Sequence, residues 1–271
     1  MKTAEFTKML EKKVLILDGA TGTELQKAGL PRGACPELWA SENPDKLKSI
    51  QEKYIKAGSN AVYTCTFGAN RMKLKEFKQD SKVEELNRKL ARISREAAGS
   101  EALVAGCIGP TGAFVEPFGD LPFEDAVGIF REQAKGLLKG GVDFFVVETM
   151  MDIQESRAAL LAIKEICNLP VIVSMTFTEQ GQTLTGTPPE TAIVTLQSLG
   201  ASAVGCNCSV GPGAMLSLVM AMKPFATVPI MAKPNAGLPK LINEKTVFDM
   251  GSDEFASFGP QLVKAGVNII G

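Results

Sequence analysis

Acidic, thiol, amide and amine side chains follow short apolar runs at several points along the chain. Asp18-Gly19 follows the run Val14–Leu17, and Glu148 follows Phe144–Val147. Four further candidates come after later apolar runs: Cys206, Cys208, Lys233 and Asn235. A carboxylate that directly follows buried residues needs a partner, and the ammonium group of a ligand would serve. These positions are therefore the candidates for binding or catalysis.

Histidine is absent from the sequence. Its absence excludes Ser-His-Asp and Cys-His catalysis and every metal site with a histidine ligand. Cys206 and Cys208 could both point inward, because residues two apart on a strand share a face. A Cys-x-Cys pair alone is a weak metal signal, since buried free cysteine is common and a zinc site needs more donors.

Structural interpretations compete with the functional ones at three of these positions. Asp18 could cap a tight turn, and Glu148 could form an ion pair with a neighbouring Lys or Arg. Lys233 could form a Schiff base with a carbonyl substrate, or it could be solvated or paired. The residues alone leave these alternatives open.

Eight short, β-branched apolar runs alternate with longer amphipathic segments, which is the pattern of βα units. The runs are Val14–Leu17, Ala61–Thr64, Leu103–Ala105, Phe144–Val147, Val171–Ser174, Ala203–Gly205, Val228–Met231 and Val267–Ile270. Predicted helices include Lys46–Lys56, Phe123–Lys139, one capped by Asp152 that runs to Ile166, and one from Pro189 that ends before Gly200. A helix-closing glycine precedes every second strand: Gly58, Gly141, Gly200 and Gly266.

This organisation predicts one (β/α)8 barrel domain over residues 1–271, with its functional residues at the carboxyl ends of the strands. An open doubly wound sheet is the alternative, but no G-x-G-x-x-G segment follows an early strand. The sequence ends directly after the eighth strand, so we expect a truncated barrel. The other explanation is that an N-terminal helix, Thr3–Glu11, replaces the eighth helix.

The composition is that of a globular protein, with 45% hydrophobic and 22% charged residues. A net charge of −1 gives no basis for electrostatic capture of nucleic acid or an anionic membrane. No apolar run reaches the roughly 18 residues of a membrane span, and the N-terminus lacks a secretion signal. We therefore predict a cytoplasmic protein whose six scattered cysteines are free thiols.

Seven segments at successive strand ends resemble the homocysteine S-methyltransferase family, in particular the homocysteine-binding domain of cobalamin-dependent methionine synthases. They are LDGATGTELQ (17–26), TCTFGANRMKL (64–74), GCIGPTG (106–112), FVVETMMDIQE (145–155), MTFTEQGQTLTGT (175–187), GCNCSVGP (205–212) and KPNAGLP (233–239). Each segment alone is weak, but the ordered set is specific and spans essentially the whole chain. The resemblance implies the same (β/α)8 fold.

The resemblance also implies a zinc site made by three cysteines. Cys208 matches the cysteine of the family's G-x-N-C motif, whereas Cys206 occupies its unconstrained position. The other two ligands are an adjacent cysteine pair just after strand eight, and this sequence ends before it. We therefore expect this fragment to lack two of three zinc ligands and to be poorly active.

Further roles follow from matching positions. Asp18 and Gly19 match a segment that helps hold the amino-acid end of homocysteine, and Glu148 matches the residue that receives its ammonium group. Asn235 matches a segment lining the metal site, and it could fill the open zinc position when substrate is absent. Lys233 lies at a variable family position, which disfavours the Schiff base. No catalytic residue is implied beyond the zinc site.

The implied reaction is methyl transfer from methylcobalamin to the zinc-bound thiol of homocysteine, giving methionine and cob(I)alamin. The modules that bind cobalamin and methyltetrahydrofolate would lie elsewhere. Within the family, the alternative is a stand-alone enzyme that uses S-methylmethionine or betaine. Outside it, the alternatives are a Schiff-base lyase that uses Lys233 and a non-catalytic homocysteine-binding module.

Overall fold

Eight parallel strands form the inner wall of the computed structural model, which describes residues 1–237, 240–242, 245–248 and 250–271. The strands are β1 (Leu15–Ile16), β2 (Ala61–Tyr63), β3 (Leu103–Ile108), β4 (Phe144–Met150), β5 (Val171–Met175), β6 (Ala203–Asn207), β7 (Ile230–Lys233) and β8 (Val267–Ile270). They pair in the order β1-β8-β7-β6-β5-β4-β3-β2, and a parallel bridge between Leu17 and Ala61 joins the two ends. The predicted (β/α)8 barrel is confirmed, and the open-sheet alternative is wrong.

Helices cover the outside of the barrel and one of its ends. They are α1 (Thr3–Lys12), α2 (Thr21–Lys27), α3 (Pro36–Glu42), α4 (Pro44–Lys56), α5 (Arg71–Lys75), α6 (Val83–Ala98), α7 (Phe123–Gly140), α8 (Ile153–Lys164), α9 (Pro189–Ser198), α10 (Pro212–Met222), α11 (Ser252–Ser257) and α12 (Gly259–Lys264). No helix in the described ranges is long and apolar enough to cross a membrane. An antiparallel ribbon that the sequence did not predict pairs Lys240–Ile242 with Lys245–Val247.

The predicted helix boundaries agree with the structure to within a few residues. The Asp152 carboxylate accepts a hydrogen bond from the Gln154 backbone N–H at 2.9 Å, so it caps α8 as predicted. The four helix-closing glycines all have left-handed backbones, with φ between 87° and 110°. Side chains with a Cβ rarely adopt this conformation, which explains why glycine recurs before alternate strands.

Alternation along the strands divides the core into an inner and an outer part. Within β4, Phe144 and Val146 point into the barrel, while Phe145 and Val147 pack against the helices. Both faces of β4 are therefore covered, as expected for a parallel strand inside a helical layer, whereas the outward-facing Ile16 of β1 is 42% exposed. The same alternation decides which side chains reach the mouth of the barrel.

The N-terminal helix α1 closes the amino end of the barrel. Phe6 and Leu10 are buried among the inner core residues, and the Phe6 and Phe144 rings lie 5.5 Å apart between centroids. Helix α1 is therefore a plug and does not take an outer position between β8 and β1. The prediction that it could replace the eighth outer helix was wrong, because its apolar face packs onto the inward-pointing residues at the bottom of the barrel.

Candidate active site

Polar side chains lie together at the carboxyl end of the barrel. There the inward-facing positions of the strands change from apolar to polar residues. They are Asp18, Tyr63, Cys107, Glu148, Ser174, Asn207 and Lys233. Glu148 illustrates the cause, because it is the next inward position of β4 after Phe144 and Val146. In barrels of this type, that face carries the active site.

Glu148 is a buried carboxylate at the top of β4. Its side chain is 9% exposed, and the Cys107 thiol donates a hydrogen bond to its Oε1 at 3.1 Å. Burial and the neighbouring Glu148 charge raise the pKa of the Cys107 thiol, which keeps the proton on the donor. Among the described residues, Glu148 makes no ion pair, so the alternative in which it pairs with Lys or Arg is not observed. Such a charge is open to an external cation.

Asp18 lies beside Tyr63 rather than capping a helix. Its Oδ2 accepts a hydrogen bond from the Tyr63 backbone N–H at 2.9 Å, whereas Oδ1 has no partner in the described part of the chain. Burial raises the pKa of Asp18 to about 6, although the positive charge of Lys233 opposes the shift. The cap position of α2 is Ala20, so the turn-cap interpretation of Asp18 is wrong.

Gly19 has a packing role next to Asp18. A Cβ at this position would lie 2.9 Å from Cε1 of the Tyr54 ring. A larger residue in this turn after β1 would force the Tyr54 ring of α4 to shift. The structure therefore gives Gly19 a role in placing Asp18, whereas direct contact with substrate remains a prediction.

Cys208 and Cys206 lie on opposite sides of the barrel wall. Cys206 is buried in the outer core against the helices. Strand β6 ends at Asn207, and the backbone turns left-handed at Cys208 and Ser209, with φ values of 58° and 61°. This turn breaks the strand alternation, so the prediction that both thiols share the inward face was wrong. Left-handed residues other than glycine are strained and tend to cluster at functional sites.

Asn207 is a buried residue of this candidate site that the sequence did not single out. Its Oδ1 accepts hydrogen bonds from the Thr149 backbone N–H at 2.9 Å and the Ser174 hydroxyl at 2.6 Å. Its Nδ2 donates to Thr149 Oγ1 at 2.7 Å and to Cys208 Sγ at 3.3 Å. Thr149 is also left-handed, with φ of 61°. One buried amide thus connects two strained residues, and its position next to Cys208 in the sequence was the available clue.

The loop after β7 lies next to the loop that carries Cys208. The Cys208 backbone N–H donates to the Lys233 carbonyl at 3.1 Å, and the Asn235 N–H donates to the Val210 carbonyl at 3.2 Å. The Lys233 ammonium lies 3.9 Å from the centroid of the Tyr63 ring. The structure therefore brings the candidates Asp18, Glu148 and Lys233 to one mouth, with the Asn235 backbone at its edge.

The donor set for a metal is incomplete. Within the described residues, no group of three or more His, Cys, Asp or Glu side chains could hold a metal ion. Cys208 contributes one thiol, whose pKa is raised by burial. Structural and catalytic zinc sites use three or four protein ligands. The described residues therefore do not form a zinc site by themselves.

A buried acidic pair at the start of α8 fixes the loop after β3 at the edge of the mouth. Glu155 Oε1 accepts hydrogen bonds from the Thr111 backbone N–H at 2.7 Å and from its hydroxyl at 2.6 Å. Asp152 Oδ2 accepts from the Val115 N–H at 3.0 Å. The pKa of Glu155 is raised from 4.5 to about 7, chiefly by burial. This carboxyl group therefore titrates near neutral pH.

Glu155→Gln should remove part of the pH dependence of stability. Because the folded protein holds the Glu155 proton more tightly than the unfolded chain, this contribution is complete below pH 4.5 and is lost as the pH rises to about 7. The free energy of unfolding of the wild type should therefore fall by up to about 3 kcal/mol relative to the variant over this range. Urea denaturation at several pH values measures it. Glu124→Gln, at an exposed site on α7, is the control, and parallel wild-type and Glu155→Gln curves would contradict the prediction.

A closed parallel barrel with a polar, strained mouth at the carboxyl ends of its strands is the architecture of the (β/α)8 enzymes. The profile of the family described as Homocysteine S-methyltransferase matches residues 15–271. The chain therefore belongs to the homocysteine S-methyltransferase family.

Curated relatives agree with this family, and a solved structure agrees with the fold. The methionine synthases of Mycobacterium leprae and Mycobacterium tuberculosis are 30% and 31% identical to this chain over 97% of its length. The chain spans about a quarter of those proteins, namely 23% and 24%. The metallated form of the homocysteine methyltransferase MmuM from Escherichia coli superposes with a TM-score of 0.82 at 22% identity, covering 97% of this chain and 93% of that one. This last likeness supports the fold.

Proposed function

We propose that this domain binds homocysteine and presents its thiol for methylation to methionine. The observation that carries the proposal is the unpaired Glu148 carboxylate, buried in the same mouth as the strained Cys208. The Glu148 charge complements the substrate ammonium. The substrate thiol would lie next to Cys208. One homocysteine molecule would therefore extend from Glu148 to Cys208.

Each residue then has a defined task. Glu148 holds the ammonium, and the Cys107 thiol orients the Glu148 carboxylate by donating to Oε1. Asp18 offers its unpartnered Oδ1 to the amino-acid end, and Gly19 allows the turn that places it. Asn207 fixes the Cys208 thiol in the mouth.

The cofactors belong to the proposal as well. Cys208 would be one ligand of a zinc ion whose other ligands come from outside the described residues, and Asn235 would lie close to it. When bound, zinc supplies Lewis-acid activation of the substrate thiol. We further propose methylcobalamin as the methyl donor, carried by a separate module beside one for methyltetrahydrofolate, in a cytoplasmic protein.

The test is methionine formation from homocysteine by the protein at its natural length, with methylcobalamin, S-methylmethionine or betaine as donor. Cys208→Ser should abolish turnover and reduce the zinc content. Cys206→Ser is the matched control, because this thiol lies in the outer core, and it should retain both. Equal effects of the two substitutions would contradict the role of Cys208.

The donor experiment also separates the alternatives. Turnover with S-methylmethionine or betaine alone would replace the cobalamin-dependent proposal with a stand-alone enzyme. Homocysteine binding without turnover would indicate a non-catalytic binding module. Borohydride trapping of a carbonyl substrate on Lys233 would support the lyase, and absence of labelled Lys233 would remove it.

A further inference from the structure

Lys233 is a charged side chain at the barrel mouth with no carboxylate within 4.0 Å among the residues that the structure describes. It is the last residue of β7, and it is partly buried. Its ammonium lies 3.9 Å from the centroid of the Tyr63 ring. A cation–π contact positions the ammonium without neutralising it. The charge therefore remains available to an anion.

Glu148 provides the opposite charge at the same mouth. Glu148 raises the pKa of the Cys107 thiol and Lys233 lowers it, so both charges act on one buried group. Yet the two side chains are not joined as an ion pair in the described part of the protein. Two separate charges of opposite sign match a zwitterion, whose ammonium and carboxylate share one carbon atom.

Two buried polar atoms next to these charges also lack partners among the described residues. They are Asp18 Oδ1 and the Tyr63 hydroxyl. Buried polar atoms normally find hydrogen bonds, and exceptions indicate a missing ligand or water. Gly271 lies close to the stem of Lys233, because a Cβ there would lie 3.0 Å from Leu17 Cβ and 3.3 Å from Cδ and Cε of Lys233.

We propose that Lys233 binds the α-carboxylate of the amino-acid substrate while Glu148 binds its ammonium. Lys233 thereby makes the site selective for α-amino acids over simple thiols. The inference rests on the proposed function, since it assigns the carboxylate of the same substrate. The competing explanation is that Lys233 only offsets the nearby Asp18 charge, and that role would affect stability without affecting selectivity.

Calorimetric binding of three probes to the protein at its natural length, with zinc held constant, tests the proposal. The probes are L-homocysteine, 3-aminopropane-1-thiol, which lacks the carboxylate, and 4-sulfanylbutanoate, which lacks the ammonium. Lys233→Met should weaken binding of homocysteine and 4-sulfanylbutanoate by about 10- to 100-fold. It should leave binding of 3-aminopropane-1-thiol within about twofold, because that probe has no group for Lys233.

Two further variants separate charge from folding. Lys233→Arg keeps the positive charge and should retain the preference for homocysteine over 3-aminopropane-1-thiol that Lys233→Met loses. Tyr63→Phe keeps the ring beneath Lys233 but removes the unpartnered hydroxyl, so homocysteine affinity should fall by no more than about tenfold while homocysteine stays preferred over 3-aminopropane-1-thiol. Thermal unfolding checks that each variant is folded.

The outcomes distinguish this inference from the proposed function. Wild-type protein that binds homocysteine and 3-aminopropane-1-thiol equally well would overturn the role of Lys233 and leave the proposed function in place. An equal loss for all three probes in Lys233→Met would also overturn it. Wild-type protein that binds no homocysteine would instead remove the proposed function, and the inference with it.

Discussion

Glu148→Gln should weaken homocysteine binding by roughly 100-fold and at the same time stabilise the folded protein. The carboxylate is buried, and among the described residues its hydrogen-bond partner is the Cys107 thiol. Glutamine has the same shape and keeps an acceptor for that thiol. It loses the charge that would pair with the substrate ammonium, an interaction worth about 2–3 kcal/mol.

The gain in stability has the same origin as the loss in binding. An unpaired carboxylate in a buried position disfavours folding, and the neutral amide removes that penalty. We expect the free energy of unfolding to rise by about 1–2 kcal/mol in urea denaturation without ligand. A substitution that weakens ligand binding and raises the free energy of unfolding is characteristic of a residue whose role is to bind a ligand.

Glu155→Gln is the matched control for this experiment. Glu155 is also a buried carboxylate, but its Oε1 already accepts hydrogen bonds from the backbone N–H and the hydroxyl of Thr111. Its substitution should leave homocysteine affinity within about twofold. If Glu148→Gln bound homocysteine as the wild type does, Glu148 would not be the ammonium site, whatever its effect on stability.

The barrel itself could be predicted from the sequence because its strands are short and the central ones, β2 and β4 to β6, are buried on both faces. Continuous β-branched runs such as Val171–Ser174 mark such strands, and the glycines before alternate strands mark the helix ends. Glu148 was recognised because a carboxylate after an apolar run is conspicuous. Its place at the end of the fourth barrel strand predicted a position at the mouth, and the structure has it there.

The local backbone of the site could not be predicted in the same way. Alternation predicts that Cys206 and Cys208 share a face, but it holds only while the strand remains extended. Next to the left-handed turn at Cys208, the Asn207 side chain bonds to Thr149, which lies 58 positions before Asn207 in the chain. Contacts of this range are set by the closed barrel and leave no periodic pattern.

The position of α1 illustrates a second limit. Its apolar residues predict a helix, yet the same pattern fits a helix on the outer wall and one across the end of the barrel. Helix α1 lies across the amino end of the barrel because Phe6 packs there on the inward-pointing ring of Phe144. The periodic pattern identifies which face of α1 is buried. The surface that this face packs on exists only once the barrel has formed.

Asn207→Ala should cost about 3 kcal/mol of folding free energy and also weaken homocysteine binding. The substitution leaves the Thr149 N–H and the Ser174 hydroxyl without their acceptor, and each unsatisfied buried group costs about 1–3 kcal/mol. It also removes the amide that holds Cys208 Sγ. Urea denaturation measures the first effect, and calorimetry measures the second.

A double-mutant cycle with Thr149→Gly separates loss of this network from general damage. Glycine adopts the left-handed conformation at position 149 without strain and has no hydroxyl to receive the Asn207 amide. Asn207→Ala should therefore be less destabilising in the Thr149→Gly background, with a coupling free energy of about 1–2 kcal/mol.

Asn87→Ala is the control for this cycle, because it removes another buried amide, one that donates to the Ala69 and Val83 carbonyls. Its effect should add to that of Thr149→Gly, and equal coupling for both asparagines would show that Asn207 does not specifically support the strained backbone at Thr149.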